Sequence, residues 1–124
     1  IFGDTDVWEI RPDLSSDESP DKLINLAAST ASLREYKINP DQFGLKKIGI
    51  EKLMVNSPEE SASKILQLFK EGNDELIDCV ALNTGLGLYI SGHSKDIKSG
   101  IEIAKSNIEN GNAAKLINDL SKNY

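Results

Sequence analysis

The spacing of apolar residues changes about one third of the way along the chain. Before Asn39, short apolar runs alternate with polar residues and turn formers, a pattern typical of strands. Strands are predicted at Val7–Ile10, at Leu23–Ala27 and at Leu33–Ile38. The short connection between the last two contains serine and threonine, so these two segments are predicted to form an antiparallel hairpin.

Helix start signals follow the strands. Asn39 and Pro40 suit the cap and the first position of a single helical turn, which Gly44 should end. A stronger signal begins at Ser57, whose hydroxyl can accept a hydrogen bond from the Glu60 N–H. The Glu60 carboxylate is predicted to reach back to the Ser57 N–H, which completes a capping box.

From residue 57 onwards, apolar residues recur every three or four positions and predict four helices. The first should end at Glu71–Asn73, and the second should run from about Asp74 to Ile90. The third should open at Ser94 and stop at Gly111, and the fourth completes the chain. The first helix is predicted to bury one stripe, formed by Ala62, Ile65, Leu66 and Phe69. The third has a narrow apolar stripe of Ile97, Ile101, Ala104 and Ile108, and the fourth carries Ala113, Leu116, Ile117 and Leu120.

The second predicted helix contains two glycines, Gly85 and Gly87, within an apolar sequence. Each glycine costs about 1 kcal/mol relative to alanine inside a helix. Small residues in an apolar helix let another backbone approach closely, so the pair indicates a tightly packed neighbour. A closely held ligand is the alternative explanation.

Composition narrows the range of functions. At 124 residues the chain is one domain at most, with 39% apolar and 27% charged residues, and it is large enough to bury a core. The net charge of −6 disfavours nucleic-acid binding, because an acidic chain repels phosphate backbones. Lys46, Lys47 and Lys52 lie near one another, but Glu51 interrupts them, so a solvated loop is predicted.

The single cysteine and the absence of targeting signals bear on the compartment. Cys79 lies in an apolar helical run and is predicted to be a buried structural thiol. No apolar run approaches the roughly 20 residues of a membrane span. The N-terminus lacks the pattern of a signal peptide, so a cytoplasmic setting is expected. The chain does not begin with methionine, and we expect it to be a piece of a longer protein.

Few residues suggest chemistry. Asp4, Asp6 and Glu9 lie near a strand end, where carboxylates suit magnesium, although an exposed acidic turn explains the same spacing. His93 follows a glycine in a turn and is predicted to be a surface residue. Trp8, like Tyr36, offers a ring that stacks on bases, but a lone aromatic on a strand is more often part of a core.

Three segments resemble the C-terminal part of anthranilate phosphoribosyltransferases, especially archaeal ones: Asn39–Leu45, Ile50–Lys64 and Ala81–Gly92. The tail Gly100–Gly111 also fits. The resemblance implies an α/β fold of the nucleoside phosphorylase and phosphoribosyltransferase type, with a partial mixed β-sheet packed by C-terminal helices. Residues 1–124 then form the C-terminal part of the large catalytic domain, strand-rich over 1–45 and helical over 57–124.

The implied reaction transfers a phosphoribosyl group from phosphoribosyl pyrophosphate to anthranilate in tryptophan biosynthesis, with Mg²⁺ as cofactor. In the family, the phosphate-binding loop and the dimer-forming helical domain precede the segments matched here. The resemblance implies that the full enzyme is a homodimer. Neither nucleic-acid nor membrane partners are expected. The resemblance also implies that this chain is inactive alone.

The family's magnesium-binding acids fall in the segment that resembles Ile1–Glu9. Gly3 and Glu9 match the family pattern, whereas Phe2 replaces its histidine and Trp8 replaces its first metal-binding acid. Glu9 is therefore the one metal ligand that carries over, with Asp6 as a substitute for the other after a local shift. The departures keep two alternatives open: a pyrimidine nucleoside phosphorylase-like enzyme and a nucleic-acid-binding member of the fold. A freestanding interaction module is the third alternative.

Overall fold

The computed structural model describes residues 5–12, 31–72 and 75–123, which form two compact units. The described strands belong to the first unit, and the described residues from Pro40 onwards belong to the second. The α/β class is confirmed. The elements are β1 (Thr5–Pro12), β2 (Ala31–Ile38), two 3₁₀ turns (Pro40–Phe43 and Ile50–Lys52), α1 (Pro58–Glu71), α2 (Ile77–Ile90), α3 (Ile97–Glu109) and α4 (Asn112–Ser121).

The described strands of the first unit form an antiparallel ribbon. Thr5 lies opposite Ile38 at one end, and Pro12 lies opposite Ala31 at the other. The strands predicted at positions 7–10 and 33–38 are confirmed, but the partner of β2 within the described residues is β1. The predicted strand at Leu23–Ala27, and with it the predicted hairpin, lies outside the described residues. The two described strands show no parallel pairing of the kind that a mixed sheet requires.

The second unit begins with the predicted helical turn. The Leu45 N–H donates to the Pro40 carbonyl at 3.0 Å, and the Gly44 N–H donates to the Asp41 carbonyl at 3.2 Å. Gly44 has a φ of 68°, which a residue without a side chain adopts at little cost. Leu45 and Ile48 are buried after the turn. The turn therefore directs this segment into the core of its unit.

Helix α1 begins at the predicted cap. The Ser57 hydroxyl accepts a hydrogen bond from the Glu60 N–H at 3.1 Å. The Glu60 carboxylate accepts from the Asn56 N–H at 2.8 Å, one residue before the predicted Ser57 N–H. At the other end, Gly72 has a φ of 72° and its N–H donates to the Leu68 carbonyl at 3.0 Å. Both ends are thus specified locally.

The predicted buried stripe of α1 is wrong. Leu68 is 2% exposed, whereas Ile65 is 48% exposed, Leu66 and Ala62 are exposed, and Phe69 is half-buried. The helical period locates apolar positions but does not say which of them a neighbouring element covers. Helix α1 packs against α3 and α4, and Leu68 is the side chain of α1 that the assembled unit buries.

The core of the second unit lies between α2 and α3. Asp96 caps α3 by accepting a hydrogen bond from the Ser99 N–H at 2.7 Å, so the helix begins at Ile97 and not at Ser94. Of the stripe predicted for α3, Ile101, Ala104 and Ile108 are buried, and Ile97 is half-buried. On α2, Ala81, Leu82 and Gly85 are buried.

A pair of glycines permits this helix contact. A Cβ built at Gly85 would lie 2.7 Å from both the backbone nitrogen and Cγ1 of Ile101, and a Cβ built at Gly100 would lie 2.5 Å from the Gly85 carbonyl oxygen. The packing interpretation of Gly85 is confirmed. It is wrong for Gly87, where an added Cβ meets no described atom within 4 Å.

The last two helices meet at a tight turn. Gly111 has a φ of 81° and follows Glu109 and Asn110 at the end of α3, so its predicted role as the stop of this helix is confirmed. Of the apolar residues that α4 carries, Ala113 and Ile117 are half-buried, while Leu116 and Leu120 are exposed.

Replacing Ser57 with alanine is expected to lower the free energy of unfolding by about 1 kcal/mol, because the Glu60 N–H loses its acceptor. Urea unfolding followed by far-UV circular dichroism measures the change. Ser63→Ala on the exposed side of the same helix is the matched control and should change stability by less than about 0.5 kcal/mol. Equal unfolding midpoints for the two variants would contradict the cap.

Candidate functional site

The sequence resemblance directs attention to Glu9, which lies in the middle of β1. Its side chain is 2% exposed, and the Tyr36 hydroxyl donates to its Oε2 at 2.8 Å. The pairing register places Tyr36 opposite Val7 and Arg34 opposite Glu9, so these side chains share one face. Tyr36 therefore fixes the orientation of the carboxylate.

Arg34 adds a positive charge to this face. Its guanidinium carbon lies 5.9 Å from the centre of the Tyr36 ring, within the range of a cation–π contact. The sequence did not reveal the link between Tyr36 and Glu9. Both positions follow the two-residue period of a strand, but only the register between strands shows that they are neighbours.

The other face of β1 carries Asp6 and Trp8. Asp6 forms an ion pair with Lys37 at 3.4 Å, and Trp8 is 64% exposed. Side chains separated by an odd number of positions point to opposite faces of a strand, so Asp6 is directed away from Glu9. The substitution by Asp6 was predicted to need a local shift, and it stays a prediction. Trp8 is not a core residue, and Asp4 lies outside the described residues.

Magnesium sites in proteins combine one or two carboxylates with water and substrate phosphates. The face of β1 that holds Glu9 offers one described carboxylate, and that carboxylate is enclosed and hydrogen-bonded to Tyr36. As placed, it does not present oxygen atoms to an ion bound to a phosphate group. Magnesium binding at Glu9 stays a prediction, and no step of the reaction is assigned to it.

A second polar site joins three segments of the helical unit. The Asp78 carboxylate, at the start of α2, accepts a hydrogen bond from the Lys46 N–H at 2.9 Å and pairs with the Lys105 ammonium group on α3 at 2.6 Å. Its side chain is 13% exposed. Asp78 therefore connects the segment after the first 3₁₀ turn to both central helices.

The surroundings of Asp78 keep it ionised. Burial raises the pKa of the carboxyl, but the hydrogen bonds from Lys105 and Lys46 and the positive charges of both lysines outweigh burial, so the pKa lies below its ordinary value. Asp78 is 32 positions from Lys46 and 27 from Lys105. Sequence spacing gave no signal for this junction, and we did not single out Asp78 from the sequence.

The remaining lysines of the predicted loop also face acids. Lys47 pairs with Asp41 at 3.0 Å, and Lys52 pairs with Glu75. All these side chains are exposed, which agrees with the predicted solvated loop.

An apolar groove lies between α1, α2 and the segment that precedes α1. It has a volume of about 320 Å³. We call it the α1–α2 groove. Cys79 is half-buried in its wall, so the prediction of a buried thiol is wrong. The residues that line it are Leu53, Val55, Ser61, Lys64, Ile65, Leu68, Phe69, Leu76, Cys79 and Val80.

The single histidine lies on the surface, as predicted. The Nδ1 of His93 is 2.9 Å from the Ser91 hydroxyl, and both residues are exposed in the turn after α2. Across the described ranges, no cluster of three or more histidine, cysteine, aspartate or glutamate side chains is arranged to hold a metal ion. None of the helices in those ranges combines the length and the apolar character needed to cross a bilayer.

Comparison with a protein-family model identifies the class of protein to which the chain belongs. A model of the glycosyl transferase family, a/b domain, matches residues 15–114. The chain therefore belongs to this family of glycosyl transferases. The match covers the segment around Asp78 and the contact between Gly85 and Gly100, but it does not include the segment around Glu9.

Within this class, the similar proteins share one name. Anthranilate phosphoribosyltransferase from Methanococcus aeolicus is 37% identical over 87 residues, which cover 70% of this chain and 26% of the relative. The enzyme from Stenotrophomonas maltophilia is 36% identical over 97 residues, covering 73% of this chain and 28% of the relative. The chain spans about a quarter of the length of these relatives.

A solved structure shows the same relationship. The crystal structure of anthranilate phosphoribosyltransferase from Thermus thermophilus matches with a TM-score of 0.64 and 33% sequence identity. The match covers 68% of this chain and 26% of the Thermus protein. The fold of the matched part is therefore that of the corresponding region of the Thermus enzyme.

Proposed function

We propose that this chain is the C-terminal part of the large α/β domain of an anthranilate phosphoribosyltransferase. The reaction moves the phosphoribosyl group of phosphoribosyl pyrophosphate to the amine of anthranilate and releases pyrophosphate, a step in tryptophan biosynthesis. The observation that carries the proposal is the joint agreement of fold and sequence with the Thermus enzyme over two thirds of this chain.

The part that this chain plays is structural support. Transfer of this kind depends on holding two substrates in a reactive geometry. The rigid contact between α2 and α3, together with the Asp78 junction, fixes one wall of the domain. The described residues contain no arrangement of nucleophile, base and acid. We therefore propose that the groups which bind both substrates lie in other parts of the enzyme.

Several features of the whole enzyme belong to the same proposal. The resemblance implies a cytoplasmic homodimer whose dimer-forming helices lie outside this chain. It also implies Mg²⁺, with Glu9 as the carried-over ligand. The enclosed position of Glu9 gives no support to that ligand, so the magnesium requirement rests on the resemblance alone.

A second candidate is a pyrimidine nucleoside phosphorylase-like activity. The exposed Trp8, at the position of the family's first metal-binding acid, favours it, because an indole ring offers a face for stacking and no ligand for magnesium. Both reactions break a bond at the anomeric carbon of a ribosyl group. They differ in the leaving group and the acceptor, so a substrate test separates them.

The natural full-length protein that contains this chain is expected to convert anthranilate and phosphoribosyl pyrophosphate in the presence of Mg²⁺. Loss of anthranilate fluorescence measures the reaction. The 124-residue chain alone is expected to show no turnover above background, because it spans about a quarter of the relatives' length. Chelation of Mg²⁺ with EDTA should abolish the activity of the full-length protein.

The same full-length preparation, incubated with uridine or thymidine and inorganic phosphate, provides the control for the second candidate. Phosphorolysis without transfer to anthranilate would replace the proposed function with the nucleoside phosphorylase. Turnover of anthranilate by the 124-residue chain alone would contradict the structural role. Unchanged transfer in EDTA would remove magnesium from the proposal.

A further inference from the structure

The turn between α3 and α4 contains asparagine followed directly by glycine, at Asn110 and Gly111. This dipeptide occurs once in the 124-residue sequence. Asn110 is exposed and ends α3 with a φ of −84° and a ψ of 2°. Gly111 follows with a φ of 81° and leads into α4. The proposed function makes no use of this turn.

We propose that Asn110 is a site of spontaneous deamidation. The Gly111 backbone nitrogen loses its proton and attacks the Cγ of Asn110. The bond from Cγ to Nδ2 breaks, ammonia leaves, and a five-membered succinimide ring remains. Water then adds to either carbonyl of the ring and opens it to aspartate or isoaspartate. The net change consumes one water, releases one ammonia and leaves a negatively charged carboxylate in place of a neutral amide.

The glycine makes this asparagine more reactive than its neighbours. The attacking nitrogen belongs to the following residue, and a residue without a Cβ leaves that nitrogen accessible and lets the backbone rotate. Asn107 and Asn112 are also exposed, but isoleucine and alanine follow them. Side chains on those following residues hinder the approach of the nitrogen. We therefore expect the reaction to be selective for Asn110.

A hydrogen bond in the turn activates the carbon that is attacked. The Asn112 N–H donates to the Oδ1 of Asn110 at 3.1 Å. A donor at this oxygen stabilises the negative charge that develops when a nucleophile adds to a carbonyl group. The side-chain amide of Asn107, in contrast, donates to the Ile103 carbonyl at 2.9 Å and is held along α3. The described contacts thus favour reaction at Asn110.

Two features of the turn slow the reaction. The Gly111 N–H donates to the Ile108 carbonyl at 3.1 Å, and ring closure requires rotation about the ψ bond of Asn110. Both changes need the turn to open. Helix α4, which the structure describes completely, buries none of its residues, so opening exposes little apolar surface. The folded protein therefore reaches the reactive geometry by local opening alone.

Incubation of the natural full-length protein at mildly alkaline pH, in its folded state, tests the proposal. Trypsin releases residues 106–115, a peptide that also contains Asn107 and Asn112 as internal controls. Tandem mass spectrometry locates the converted residue, and chromatography separates the aspartate and isoaspartate products. We expect Asn110 to convert at least about tenfold faster than either neighbour, and within about tenfold of its rate in the urea-unfolded protein.

Two variants and a pH series test the chemistry. Asn110→Gln should abolish the conversion, because its longer side chain would have to close a less favourable six-membered ring. Asn112→Ala is the matched control, since it keeps the backbone N–H that donates to Oδ1 and should convert at the wild-type rate. Raising the pH by one unit should speed the conversion about tenfold, because the deprotonated fraction of a weakly acidic amide rises by that factor.

Three results overturn the inference. The first is conversion of Asn110 in the folded protein that is absent or more than about tenfold slower than in the unfolded protein, because the turn then protects the residue. The second is equal conversion at Asn107 or Asn112, which removes the role of Gly111. The third is a rate that does not depend on pH. The measurement in wild-type protein stands even where a variant fails to fold, and it is independent of transferase activity.

Discussion

Replacing Gly100 with alanine is expected to lower the free energy of unfolding by about 2–3 kcal/mol. The added Cβ would lie 2.5 Å from the Gly85 carbonyl oxygen and 3.0 Å from the Gly85 Cα. Both are backbone atoms of α2, so no change of rotamer relieves the clash. The helices must separate and uncover part of the apolar surface between them. Urea unfolding followed by far-UV circular dichroism measures the loss.

Gly87→Ala is the matched control for this prediction. It adds the same methyl group to α2, where nothing described lies within 4 Å of the new atom. Alanine favours a helix over glycine by about 1 kcal/mol, so this variant should unfold at a higher urea concentration than wild type. The two substitutions therefore have opposite signs. A Gly100→Ala variant that unfolds at the wild-type midpoint would show that the helix backbones do not touch.

Replacing Asp78 with alanine is expected to lower the free energy of unfolding by about 2–3 kcal/mol. The Lys46 N–H loses its acceptor, and the Lys105 ammonium group loses the carboxylate that it contacts at 2.6 Å. The Asp78 side chain is 13% exposed, so water replaces these contacts only in part. Urea unfolding at neutral pH measures the effect.

Two variants separate the charge of Asp78 from its hydrogen bond. Asp78→Asn keeps an acceptor for the Lys46 N–H and should lose about half as much stability as Asp78→Ala. Asp119→Ala removes an exposed carboxylate that pairs with Lys122 at 3.5 Å and should cost less than about 0.5 kcal/mol. If Asp119→Ala proved as destabilising as Asp78→Ala, the special role of the Asp78 junction would be excluded.

The same junction gives a pH dependence with a definite sign. The pKa of Asp78 is lower in the folded protein than its ordinary value of 3.8. The unfolded chain therefore takes up the proton at a higher pH than the folded chain does. The stabilisation is complete above pH 3.8 and declines as the pH falls from 3.8 towards the lower folded pKa. Asp78→Asn lacks this contribution, so its stability should fall less steeply than that of wild type over that interval.

The local signals in the sequence predicted the ends of the helices well. The Ser57 cap of α1 is at its predicted residue, and Gly44 and Gly72 end their helical turns with positive φ. Such features depend on residues within four positions of one another. The start of α3 was predicted two to three residues early, because Ser94 and Asp96 are both good capping residues and only the backbone geometry decides between them.

The burial of particular side chains was predicted less well. Three residues of the apolar stripe of α3, Ile101, Ala104 and Ile108, are buried, and α3 packs against α2, α1 and α4. The period of α1 identified Ile65, which is largely exposed at the α1–α2 groove. The two helices have similar patterns. They differ in the elements that pack against them, and the apolar pattern of one helix does not show which elements those are.

In the candidate sites too, some features were predicted from the sequence and others were visible only in the structure. The family resemblance identified Glu9, but the partner of its carboxylate, Tyr36, emerged only from the pairing of β1 with β2. Asp78 had no signal in the sequence, since its partners are 27 and 32 positions away.

The sequence by itself determined the period of each element, the cap of α1, the glycines that end helical segments, and membership of the family through segments that keep their order. These properties depend on short-range hydrogen bonds and backbone conformation, which act between residues close in the chain. The tertiary structure alone decided that Gly85 meets Gly100, that Asp78 joins Lys46 to Lys105, and that the α1–α2 groove stays open. Those contacts depend on how separate elements pack, and packing is a property of the assembled chain.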